Sequence, residues 1–184
     1  MSATTHEPMI TVADVPAAEQ TPRSRAFARI FAVTRIATGW IFLWSFLDSA
    51  FGLRFSTAPA EAWVAGGSPA AGWLEHGTSG PFAPAFQALA GTAFADVMYM
   101  VAMLGMGLAL ILGIGLRVNA VLGGVVVVMM WAGSLLPESN PFMTYHLLYA
   151  LLFVAFAVGA AGHTWGLGRR WEQLAIVQKA PWLK

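Results

Sequence analysis

The chain has 184 residues, 58% of them hydrophobic and only 10% charged, against roughly 25% charged in a soluble domain. So few charges cannot solvate a globular surface, and a net charge of +1 gives no purchase on nucleic acid or other polyanions. The absence of cysteine excludes disulfides, thiolate nucleophiles and cysteine-ligated iron–sulfur or zinc sites.

What remains is an all-α integral membrane protein. Residues 1–28 are polar, rich in Thr, Ala, Pro and acidic side chains, and lack the basic-then-apolar order of a secretory signal. A disordered cytoplasmic tail is expected there. Four windows then reach the roughly 20 apolar residues that a 30 Å hydrocarbon core requires. They lie at about 31–51, 97–115, 118–136 and 143–161. Residues 29–163 therefore read as a four-helix membrane domain. GLRVNA separates the second and third spans, which must form a tight hairpin. Gly105, Gly107, Gly123 and Gly124 suit close helix packing.

Lys and Arg set the orientation. Arg23, Arg25, Arg29 and Arg35 precede or open the first span, Arg117 marks the hairpin, and Arg169, Arg170, Lys179 and Lys184 follow the last. Both termini are expected in the cytoplasm. The segment 52–95, with Arg54 as its lone cation, is expected outside as a cap of short helices. Arg35 is expected to snorkel to headgroups. Asp96 and Glu138 read as helix-flanking residues in water. Residues 164–184 read as an amphipathic cytoplasmic segment, with Trp165 and Trp171 near headgroup level.

On a helical wheel the first span has a polar face (Thr34, Thr38, Ser45, Asp48, Ser49) opposite an aromatic one (Trp40, Leu43, Trp44, Leu47, Phe51). An aspartate at bilayer depth pairs, protonates or lines a wet cavity; Arg54 and His146 are its candidate cations. Asn140 and Pro141 read as N-cap and first residue of the last helix. That places His146 some way inside it, on one face with Tyr149. Asp48 and His146 are expected to meet beneath the outer leaflet, either as a proton-handling site or as hydrogen bonds that lock the helices. The four histidines are scattered, and no bound metal, haem or flavin is expected.

The ordered set RIATGWIFLWSFLDSAFGL, WVAGGSP, GPFAPAF, GIGLRVNA, NPFMTYHLLYALLF and GAAGHTWGLGRRWE resembles the DoxX family of small four-helix bacterial and archaeal membrane proteins. The likeness runs from about Arg29 to Glu172. It rests on an arginine opening the first helix, an acid near that helix's end, the hairpin, Asn-Pro before the fourth helix and a Gly-rich exit. The family includes the DoxD-type large subunit of thiosulfate:quinone oxidoreductase, which passes electrons from thiosulfate to membrane quinone. Other members are redox-associated membrane subunits. The resemblance implies a bacterial plasma membrane, quinone as substrate, a second redox subunit as partner, and room for a homo-oligomer.

Residue chemistry allows a mechanism within that family reading. His146 would donate to one quinone oxygen, Asp48 would relay protons, and Tyr149 would hold the other oxygen. Trp44 and Trp131 would border the slot, and Arg54 would attract an anionic donor. The competing reading is a non-catalytic membrane subunit that docks a redox enzyme. A small transporter fits less well, because no pair of broken helices stands out.

Overall fold

The first helix starts well ahead of its apolar run. The Thr21 hydroxyl accepts the Ser24 N–H at 3.2 Å, and Pro22 sits in the first turn, where a missing N–H leaves nothing unpaired. In the computed structural model, which describes residues 21–135, 137, 140 and 142–184, α1 runs Pro22–Phe51. Residues 22–28, expected to be disordered, thus continue the helix, because good helix formers follow a strong start signal. Residues 1–20, Leu136, Glu138, Ser139 and Pro141 lie outside the described residues.

The other long elements are α4 (Ala93–Leu112), α5 (Leu116–Gly133) and α6 (Tyr145–Val158). Between α1 and α4 lie α2 (Ala71–His76) and α3 (Ala83–Gln87), with single 3-10 turns around them. Among the described residues every regular element is helical. Three helices, α1, α4 and α5, are long and apolar enough to cross a bilayer. α6 is apolar but has 14 residues, a rise of about 21 Å.

Helix α1 packs along α4, and α5 along α6. The first pair closes on glycine. A Cβ on Gly107 would lie 2.7 Å from the Leu43 backbone nitrogen, and one on Gly39 2.8 Å from the Leu110 Cβ. Leu43, from the aromatic face of the first span, therefore belongs to a helix contact. The core joins Phe42, Met106, Leu110, Val127, Phe153 and Phe156. In lipid its stabilisation comes from dispersion and fit rather than from exclusion of water. Gly107→Ala is accordingly expected to destabilise the protein by about 1–3 kcal/mol, read as a lower melting temperature in detergent. An unchanged melting temperature would mean that the two helices are not in contact there. Gly105 and Gly124 differ: a Cβ on either would meet no atom within 4 Å.

Arg35 overturns an expectation. It does not snorkel; its exposure is 0%. Its Nη1 donates to the carbonyls of Leu110 and Ile111, in the last turn of α4, the latter at 3.0 Å. Its Nη2 donates to the carbonyls of Trp165 (3.1 Å) and Thr164 (3.4 Å). The guanidinium thus caps the negative end of α4 and fastens the exit from α6 to it. Glycines make room for it. A Cβ on Gly113 would lie 2.8 Å from Nη1, and one on Gly166 3.1 Å from Nη2. The Leu167 N–H reaches the Leu112 carbonyl at 2.8 Å. The Gly-rich exit is backbone wrapped around a buried cation.

The C-terminal segment is two short helices rather than one amphipathic helix, α7 (Gly168–Glu172) and α8 (Ala175–Lys179). Leu174, with ψ 135°, breaks them, and the chain turns back on itself. The Lys184 carbonyl then accepts the Arg117 N–H at 2.7 Å, and the Leu183 carbonyl the Trp171 indole N–H at 2.7 Å. A free N–H in the first turn of α5 thereby finds a partner.

Candidate functional site

The end of the bundle where α1 stops and α4 starts carries the side chains expected to form the site. Gly52 ends α1 in the left-handed region (φ 64°), and Arg54 also has a positive φ of 70°. These two turns bring the following backbone over Asp48. The carboxylate, 1% exposed, accepts the Ser56 N–H (2.8 Å), the Ser56 hydroxyl (2.6 Å), the Thr57 N–H (3.0 Å) and the Phe55 N–H (3.3 Å). Successive N–H groups form an anion nest. No cation takes part: Arg54 is exposed, and no hydrogen bond joins Asp48 to His146 among the described residues.

Asp96 works in the same manner. Expected in water, it is buried, and it accepts the Ser68 hydroxyl at 2.8 Å and the Ala70 N–H at 3.0 Å. Two aspartates thus fasten the segment 52–92 to the ends of α1 and α4. Asp48→Ala is expected to speed amide hydrogen exchange at Phe55, Ser56 and Thr57 on the order of tenfold or more, with the helices still protected. Unchanged exchange there would refute the clasp.

Helix α6 begins at Tyr145; the start expected at Pro141 lies outside the described residues. The Asn140 side chain accepts the N–H groups of Phe142 (2.9 Å) and Met143 (2.8 Å), and this local turn competes with the helix. His146 is therefore in the first turn. It is 3% exposed, its Nδ1 lies 3.3 Å from the Thr144 hydroxyl, and its Nε2 has no partner. The Tyr145 ring sits 4.1 Å away between centroids. Tyr149 meets Phe42 edge-on at 5.2 Å. Trp44 contacts Trp40 and Phe55, while Trp131 donates to the Phe142 carbonyl at 2.9 Å and meets the Phe142 ring edge-on. Among the described residues no ring contact joins Trp44, Trp131 and Tyr149 directly to one another. Among the described residues no three His, Asp or Glu side chains gather as metal ligands.

A different place is shaped for a ligand. Between α4 and α5 runs a groove of about 580 Å³, closed at one end by Trp73, Leu74 and Phe86 of α2 and α3. The facing positions are small: Ala102, Gly105 and Ala109 on α4, Gly123 on α5. Methionines supply much of the remaining wall (Met98, Met103, Met106, Met129, Met130), and such side chains adapt to irregular shapes. The rim residues Phe94, Val101 and Leu122 are exposed, so the groove opens sideways. No charged side chain lines it. Its polar side chains are the half-buried Tyr99 and Trp73, the latter with an indole N–H, and Asn119, which is 6% exposed and whose Nδ2 has no partner. Sequence reasoning took this small-residue pattern for packing and passed over Asn119.

A second cavity, of about 680 Å³, lies at the α4–α5 hairpin, between α5, the end of α6 and the C-terminal segment. His163 and Glu172 pair there at 2.9 Å.

The fold and the groove define a class: an all-helical chain whose long apolar helices suit a lipid bilayer. Compared with protein-family models, with curated proteins and with solved structures, the chain matches none.

Proposed function

We propose that the chain is a four-span plasma-membrane protein of DoxX type that works with membrane quinone. In this reading α6, continued by its flanking residues, is the fourth span. The arginine distribution puts both termini and the hairpin in the cytoplasm, and α2 and α3 outside. The observation that carries the quinone assignment is the groove between α4 and α5. It is long, uncharged and open at the side, which suits a neutral molecule that arrives through lipid with a long apolar tail. Charged lipid headgroups find no counter-charge along it.

Reduction of the quinone takes two electrons and two protons and yields the quinol. With thiosulfate as donor, two thiosulfate ions join through a new S–S bond as tetrathionate and release those two electrons; a second redox subunit could deliver them instead. Asp48 has no part in this, because its oxygens are occupied by the loop that follows α1.

A second reading, a non-catalytic membrane subunit, is favoured by the two aspartate clasps, which make the segment 52–92 a well-held docking surface. Quinone titration of the purified protein decides between them. Saturable binding that a side chain placed in the groove removes supports the quinone reading. Binding indifferent to such a plug, or a stable complex with a soluble redox enzyme and no quinone, supports the subunit reading.

A further inference from the structure

Asn119 stands in the first turn of α5, three residues after Leu116, about 4.5 Å along the helix axis from its start. It is the one nearly fully buried polar side chain of the groove, and its Nδ2 is unpaired. A buried amide without a partner costs roughly 1–3 kcal/mol. Its neighbours offer no relief: Gly123, one turn on, has no side chain, and the Met106 sulfur beside that glycine is a weak acceptor at best. An apolar tail laid over Asn119 would leave the amide unsatisfied, whereas a carbonyl oxygen would satisfy it. Tyr99 and the Trp73 indole, the other polar groups, are half-buried and bear a smaller penalty.

We infer that Asn119 binds the quinone ring, donating its amide N–H to a ring carbonyl at the hairpin end of the groove, with the tail running toward Trp73 and Phe86. This rests on the quinone reading above. It puts the ring at the opposite end of the bundle from His146, Asp48 and Arg54. Reductant and protons then reach the ring from the face formed by the hairpin and the C-terminal segment.

The test is titration of a decyl-substituted benzoquinone into the purified full chain in detergent, with melting temperature recorded in parallel. Asn119→Leu is expected to weaken binding by about tenfold. Its ligand-free melting temperature should hold or rise, because an unpaired amide is removed; a merely structural asparagine would give a fall. Asn119→Ser, which keeps a donor, should recover part of the affinity, and it replaces the leucine variant if that one fails to fold. Tyr99→Phe should change the affinity by less than about twofold. If Tyr99→Phe weakens binding and the Asn119 variants do not, the ring lies at the other end and the inference is overturned. It is overturned too if the Asn119 variants bind normally while a plug at Gly105 abolishes binding, and the quinone reading then survives. Normal binding in the plugged protein as well would remove both.

Discussion

Gly105→Phe is expected to abolish quinone binding and leave the fold intact. Gly105 lines the groove, and a Cβ built on it meets no atom within 4 Å. The backbone there is ordinary α-helix, so a side chain needs no unusual conformation, and phenylalanine recovers part of the helix penalty of about 0.8–1.0 kcal/mol that glycine carries against alanine. The added ring projects into space that the ligand would need. Loss on the order of a hundredfold in affinity, about 2.7 kcal/mol, is expected in the quinone titration, with no fall in melting temperature. Gly124→Phe is the control. That position is equally open but does not line the groove, and its affinity should match the parent protein. Parent-like binding by Gly105→Phe would end the assignment of the groove to quinone.

Arg35→Met is expected to have the largest effect on stability. Hydrogen bonds to a charged group contribute roughly 1.5–3 kcal/mol each, and the guanidinium donates to the carbonyls of Leu110, Ile111, Thr164 and Trp165. Methionine fills similar volume but leaves these acceptors without a donor at the end of α4, beside backbone that glycines hold too close to repack. A loss of about 3–5 kcal/mol is expected, by analogy with removal of one partner from a buried ion pair. The segment 160–184 should become open to protease before the helices melt. Arg35→Lys should not rescue it, since a single ammonium cannot fork between α4 and the 164–165 backbone. Thermal unfolding in detergent and limited proteolysis read both effects. A melting temperature within a few degrees of the parent would show that the buried cation is dispensable.

The same residue marks where reading the sequence stopped short. Arg35 lies on an apolar helix near a basic terminus, and snorkelling is what such a side chain does when nothing nearer can accept its protons. Its acceptors are carbonyls 75, 76, 129 and 130 positions further along the chain. Asp48 was matched to the cations in reach, yet its partners are N–H groups 7, 8 and 9 positions later. Asp96 found its own in Ser68 and Ala70. The Gly-rich exit was visible as a pattern, but what it surrounds was not.

The sequence by itself determined the helical class, the apolar segments and the Gly113–Gly115 hairpin. It also set the shared face of His146 and Tyr149. These follow from local rules: the length of an apolar run, the 3.6-residue turn, and glycines able to enter the left-handed region. Only the tertiary structure decided which polar side chains were already occupied, and that α4 and α5 stand apart where their small residues face each other. The physical reason is that every residue carries the same backbone donor and acceptor. When a charge is satisfied by backbone, no side chain of complementary sign records it, and a buried unpaired amide such as that of Asn119 emerges only after the other groups have been matched in space.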